Sequence, residues 1–268
     1  MLRYPLIMLF LLAAGISVNA EEYKDEKLAY FVIGSGLEYL SYTENEPETD
    51  SHTNSSLYNI VTKFEGGLNL SHVFVGIKGV FPVSSEEKNE EWVRSERVYQ
   101  TNDLEYSMTR IDGNIGYRIY PWLSPYVGLR WSKSRQERYR FVLSEPVSGK
   151  AIETTRALFA AGGLNGILKT VSPWQFQYSF ECFLPVYART ENSALSGWKS
   201  SEKDGYSIGA RAVAEYKCSP SLSLYYELSG EKTYWGGSGW IDYTEGSAKW
   251  PENKTILINF TMGIAWVF

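Results

Sequence analysis

The carboxyl-terminal segment Lys254 to Phe268 alternates strictly, with Ile256, Ile258, Phe260, Met262, Ile264, Trp266 and Phe268 on one face and Thr255, Asn259, Thr261, Gly263 and Ala265 on the other. A strand that is wholly apolar on one side fits lipid outside and a polar lumen inside. At the opposite end, Arg3 precedes a short apolar run from Leu6 to Ala14, and Val18-Asn19-Ala20 supplies small residues before Glu21. That is the pattern of a cleaved export signal. No segment approaches the ~20 continuous apolar residues of a spanning helix. These features predict an all-β chain: a signal over residues 1–20, then one transmembrane antiparallel up-and-down β-barrel domain over residues 21–268.

Composition agrees with that expectation. Aromatics make up 15% of the chain while mean hydropathy is only −0.27, as expected when half of every strand is polar. The net charge of −5 argues against nucleic acid as a partner. Short turn signals at Leu70-Ser71-His72, Pro121 to Ser124, Ser172-Pro173 and Cys218 to Ser221 alternate with long polar stretches at about Thr43–Ser56, Ser84–Asp103, Ser144–Glu153, Glu191–Asp204 and Gly236–Asn253. Between them lie about ten strands: 29–42, 57–70, 73–83, 104–120, 125–142, 154–171, 174–190, 206–217, 222–235 and 254–268. Short turns on one side and long loops on the other are the periplasmic and extracellular ends of such a barrel. A soluble β-sandwich also alternates; the export signal and the terminal Phe268 favour the barrel.

In this register Glu38, Lys63, Glu65, Lys78, Arg110, Asp112, Arg118, Arg130, Glu181, Arg211, Glu215, Glu227 and Glu231 point inward. Opposite charges interdigitated in so narrow a tube predict a salt-bridged plug, with a passive narrow pore as the alternative. Along 125–142 the outward series passes from Val127, Leu129 and Trp131 to Lys133, Arg135 and Glu137. Lipid cannot face the charged half at a cost of roughly 2–4 kcal/mol per buried cation, so the wall is expected to rise above the bilayer. Cys182 and Cys218 are expected to be unpaired, and no cofactor or metal site is read from the chain.

Ten strands, tall walls and a charge-filled interior resemble the omptins, outer-membrane endopeptidases, and related adhesin barrels. Two stretches carry the likeness in sequence: Gly197-Trp198-Lys199-Ser200-Ser201-Glu202-Lys203-Asp204 before the strand at 206, and Asn89-Glu90-Glu91-Trp92-Val93-Arg94 in the second loop. Omptins carry a second-loop pattern like Asp-x-Asp-Trp-x-Asp and a fourth-loop Asp-x-His that activate a water. Laid on the first, Glu91 and Trp92 agree in kind while Asn89 and Arg94 replace acids. The fourth loop, Arg189 to Leu195, has no histidine. The resemblance therefore implies the barrel, with Glu91 as the one catalytic candidate if a diverged endopeptidase survives.

Trp, Tyr, Gly and Ser in the fifth loop form a composition suited to binding: Trp235, Trp240 and Tyr243, followed by Trp250, with Trp92 and Trp198 from other loops. The same rings could instead close the barrel mouth. Lys133 and Arg135 stand where lipopolysaccharide would lie, a position at which omptins hold that lipid. The chain is thus expected in the outer membrane of a Gram-negative bacterium. Outer-membrane lipid, lipopolysaccharide, the barrel-assembly machinery at the last strand and an unidentified extracellular ligand are its expected partners. Its expected role is surface-exposed binding or structure, with endopeptidase and passive pore as alternatives.

Overall fold

The computed structural model of the chain describes residues 29–142, 149–169 and 172–268; the expected export signal over residues 1–20 and most of the third loop lie outside the described residues. In chain order the elements are β1 (Ala29–Glu46), β2 (Ser51–Leu70), β3 (Val73–Ser85), β4 (Glu87–Arg94), β5 (Arg97–Tyr117), β6 (Ser124–Val142), β7 (Ala151–Lys169), β8 (Trp174–Asn192), β9 (Lys199–Ser200), β10 (Gly205–Lys217), β11 (Leu222–Trp235), β12 (Ile241–Tyr243), β13 (Gly246–Ala248) and β14 (Glu252–Val267). The wall runs β1-β14-β11-β10-β8-β7-β6-β5-β3-β2 and closes where β2 pairs β1. Closure removes the free edges that an open sheet would expose. With β4 continuing β3 along the same wall position, this is the predicted ten-stranded antiparallel barrel. Where the first strand meets the last, Gly34 of β1 faces Gly263 of β14, and a Cβ on either would press into the opposite backbone.

The predicted faces are observed. On β14, Ile258, Phe260, Met262 and Ile264 are exposed, whereas Leu257, Asn259, Thr261 and Ala265 are buried. Aromatic pairs bound the apolar belt. Trp174 with Tyr216 (5.1 Å between ring centroids) and Tyr120 with Trp122 (5.4 Å) lie at the short-turn end, and Tyr39 with Tyr58 (5.4 Å) and Tyr206 with Tyr234 (5.8 Å) toward the long-loop end. Cys182 and Cys218 are free thiols.

Two predicted loops are not loops. β1 runs on to Glu46 and β2 starts at Ser51, joined by a single 3-10 turn at Pro47–Thr49. The second predicted loop is a paired hairpin of β4 and β5, turned at Ser95 and Glu96, whose φ angles of 48° and 63° match a two-residue primed turn. The reason is environmental. Above the lipid the outer face needs no apolar residues, so the alternation fades while backbone pairing continues.

The β3–β4 wall breaks at Pro82, which can donate no ladder hydrogen bond, and β3 bulges beside it, leaving Val83 unpaired opposite the Ile60–Val61 step of β2. Asn59 spans the break, donating to the Tyr106 carbonyl at 3.1 Å. Outside, the break leaves a notch of about 190 Å³ floored by Ser107 and Glu105.

Candidate functional site: the lumen and the closed mouth

Alternation on β2, β5, β6, β10 and β11 delivers the inward charges to one layer at mid-barrel. Arg130 donates to Asp112 at 2.5 and 3.0 Å and to Glu231 at 2.7 Å, with its guanidinium 3.5 Å from the Phe183 ring centroid. Arg110 pairs with Glu38 and reaches Glu231 at 3.6 Å, while Lys78 lies 3.3 Å from Asp112 and 3.7 Å from Glu181. Toward the short-turn end, Arg211 holds Glu65 and Glu227 at 2.5 Å each, and Lys63 joins Glu65 (3.0 Å), Glu227 and the Tyr225 hydroxyl (2.6 Å).

Each acid in this layer has a cation and each cation at least one acid. A buried ion pair is tolerable only when both partners are satisfied in this way. The space left over is small. The cavities above and below the Arg110–Arg130–Glu231 crossing measure about 20 and 30 Å³. A single water needs about 10–15 Å³, so each holds a water or two and neither holds a permeating solute.

Above this layer the tall wall brings together a second cluster that sequence reading did not assemble. Glu90 of β4 accepts from Arg138 Nε at 2.7 Å, Asn102 Nδ2 at 2.8 Å and Trp92 Nε1 at 3.2 Å. Arg138 of β6 also reaches Glu44 of β1 at 3.3 Å, and Glu44 accepts the Tyr42 hydroxyl. Glu153 of β7 accepts from Trp250 Nε1 at 3.0 Å. All three carboxylates are buried, Glu90 fully.

Their environments separate them. Burial pushes Glu90 upward, but Arg138 and the two side-chain donors outweigh it and hold the group below the ordinary carboxylate range. Burial raises Glu44 against the pull of Arg138. Burial, followed by the charge of Glu44, pushes Glu153 up to about 7.

Over Glu153 lies the fifth loop. Trp250 packs on Trp235 (5.7 Å), which packs on Phe159 (5.5 Å), and Trp198 donates to the Ala248 carbonyl at 3.1 Å. The β12–β13 hairpin is tied to the fourth loop by Thr244 N to Ser196 O (3.2 Å), and Lys249 reaches across to Glu46 (3.5 Å) and Glu48 (2.9 Å) beside the first turn. These contacts form a lid.

The residues singled out from sequence therefore separate. Glu91 lies exposed on the outer face of β4, and its neighbour Glu90 faces the mouth. Trp198 and Trp235 are buried in the lid core, Trp92 stands beside Glu90 with its ring 5.3 Å from the Arg138 guanidinium, and Tyr243 packs at the core's edge. Trp240 alone among the predicted aromatics stands clear, 62% exposed.

Lys133 and Arg135 are on the outer wall as expected, and Arg135 pairs with Glu137, which Lys150 also caps. Lys133 stands opposite Arg156 on β7, which stands opposite Arg189 on β8. Glu191 pairs with Arg156 at 3.2 Å and with Arg189 at 2.6 Å, so the row carries an acid among its cations; it was not collected from sequence because its members lie on three separate strands.

No protein-family model and no curated protein matches this sequence. Among solved structures, the chain is similar to the outer-membrane protease OmpT from Escherichia coli, with a TM-score of 0.74 at 12% identity over 94% of this chain and all of that one. It also aligns with the transport unit of the autotransporter AIDA-I from Escherichia coli (TM-score 0.42, 11% identity, 98% and 97% of the two chains) and with OprG from Pseudomonas aeruginosa (TM-score 0.38, 8% identity, 92% and 99%). The chain has an omptin-like outer-membrane β-barrel fold.

Proposed function

We propose that this protein is a closed surface barrel of the Gram-negative outer membrane, acting through its extracellular surface as a binding or structural protein rather than as a protease or a pore. One observation carries the reading: the mouth carboxylates are buried, Glu153 beneath Trp250 of the fifth loop, and the lumen beneath them is filled by paired charges. An endopeptidase of this shape needs acids open to a substrate carbonyl and a base near neutrality. Here Glu91 faces away from the mouth and the fourth loop holds no histidine. The surfaces left for partners are the rim around Trp240 and the outer basic row of Lys133, Arg156 and Arg189. That row stands just above the apolar belt, at the height of lipopolysaccharide phosphates.

Refolded protein incubated with a mixed peptide library, with and without lipopolysaccharide and beside Glu91→Ala, is expected to leave the peptides intact by mass spectrometry. Cleavage lost in Glu91→Ala would replace this reading with a diverged endopeptidase. Arg156→Ala/Arg189→Ala is expected to weaken lipopolysaccharide retention without changing heat-modifiable migration.

A further inference from the structure

Glu90 and Glu153 are both buried in the mouth, yet only Glu90 touches a guanidinium. Its oxygens take Arg138, Asn102 and Trp92. Glu153 has one neutral donor, Trp250 Nε1, and that donor belongs to the lid. Among the described residues, the charged and titratable groups around Glu153 are Glu44 and Tyr42 from β1, Glu90 from β4, Tyr106 from β5 and Arg138 from β6. Arg110, Arg130 and Glu231 form the floor of the chamber below and are engaged with one another and with Glu38 and Asp112. The lid's own cation, Lys249, is directed at Glu46 and Glu48.

One guanidinium thus serves three buried carboxylates, and the one it serves least is the one that fastens the lid. A buried carboxylate without a cation keeps its proton, whereas one released to water gives it up at the ordinary carboxyl value. The chamber under Trp250 contains a further unsatisfied group, Gln136 Oε1, which is buried without a partner.

We propose that the extracellular lid, residues 236–251, is a pH-responsive closure: in its protonated form Glu153 can stay buried beneath Trp250, whereas ionisation of Glu153 in that water-poor site beside Glu44 drives it toward solvent and loosens the lid, at a cost that the Trp250 hydrogen bond offsets only in part. The sign follows from linkage. In the shut state Glu153 titrates at about 7, above its value in water, so the shut state binds the proton more tightly. Closure is strongest below the ordinary carboxyl range, weakens as pH rises toward 7 and is weakest above it. Between pH 5.5 and 8.0 the open fraction rises by roughly tenfold or more. Opening exposes Trp235, Gln136 and Asn253 to the outside while the mid-barrel ion layer stays in place.

Hydrogen exchange of the folded barrel in detergent, followed by mass spectrometry and corrected for intrinsic exchange, tests this. In the native chain, protection of residues 236–251 is expected to fall at least tenfold from pH 5.5 to 8.0, while the lower halves of β1 and β14 do not change. Glu153→Gln, which keeps an acceptor for Trp250 but cannot ionise, is expected to hold the lid protected at both pH values. If that variant lacks the heat-modifiable migration of a folded barrel, Glu44→Gln takes its place, with the pH dependence expected to shrink. A native lid with pH-independent protection, or full pH dependence retained in the substituted protein, overturns the proposal.

Discussion

The mid-barrel layer and the mouth are both built from buried charge, but they are neutralised differently. At mid-barrel, Lys63, Lys78, Arg110, Arg130 and Arg211 face Glu38, Glu65, Asp112, Glu181, Glu227 and Glu231, and every member touches an opposite charge. At the mouth, Arg138 faces Glu44, Glu90 and Glu153 alone. With five cations interleaved among six acids, each acid within reach of a cation, the mid-barrel layer behaves as a rigid filler over the physiological pH range. An under-neutralised one must hold a proton, and so responds to pH. The same wall strands carry both, since Arg130 and Arg138 are two helpings of one inward series on β6.

Four substitutions would break or sharpen that contrast. The largest effect is expected from Arg130→Ala, which takes the closest cation from Asp112 and Glu231, leaving them the longer contacts to Lys78 and Arg110, and removes the cation from the Phe183 ring; stability should fall by about 3–5 kcal/mol. Denaturant titration of heat-modifiable migration should show this loss nearly unchanged between pH 5.5 and 8.0. Arg138→Ala should cost about 3 kcal/mol at pH 8.0, with at least half recovered at pH 5.5, because Glu44 and Glu90, buried and freed of Arg138, can take up protons there. An equal loss at both pH values would mean that the mouth is as static as the layer below.

Trp250→Phe keeps the ring and removes the donor to Glu153, at a net cost of about 1 kcal/mol. Exchange protection of the lid should drop several-fold with the barrel midpoint unmoved. Trp240→Ala, at an exposed tip, should change stability by no more than about 0.5 kcal/mol. Any lost surface binding in that variant would identify a contact and not a folding defect.

Much of this contrast was legible in the sequence. Wherever lipid covers the outside, the two-residue alternation located strands and told inward charges from outward ones, as at Glu227 over Leu228. Legibility ended where the lipid does. β4 and the upper parts of β1, β2 and β5 are polar on both faces, so they resembled loops, and the acid assigned to the mouth was Glu91. Continuing the count from Lys78 and Val80 along the same wall would have placed Glu90 inside, since the β3–β4 break leaves the parity intact. The partnership of Glu90, Glu44 and Glu153 had no such signal. It joins residues from separate strands through Arg138 and depends on barrel closure.

The lid divided the loop aromatics in a way composition could not. Trp198, Trp235, Trp240 and Trp250 all stand within a few residues of glycine and serine in the loop sequence. Only the folding of the fifth loop back over Phe159 and Ala188 buries Trp198, Trp235 and Trp250 and leaves Trp240 in water.

The central claim is that the mid-barrel layer seals the tube whatever the lid does. Single-channel recording of refolded protein in planar bilayers at pH 5.5 and 8.0 tests it most directly. The account predicts a baseline without conductance steps at both pH values. Steady unitary openings at either pH, and above all openings that appear only at pH 8.0, would contradict it and show that the ion layer yields when the lid lifts.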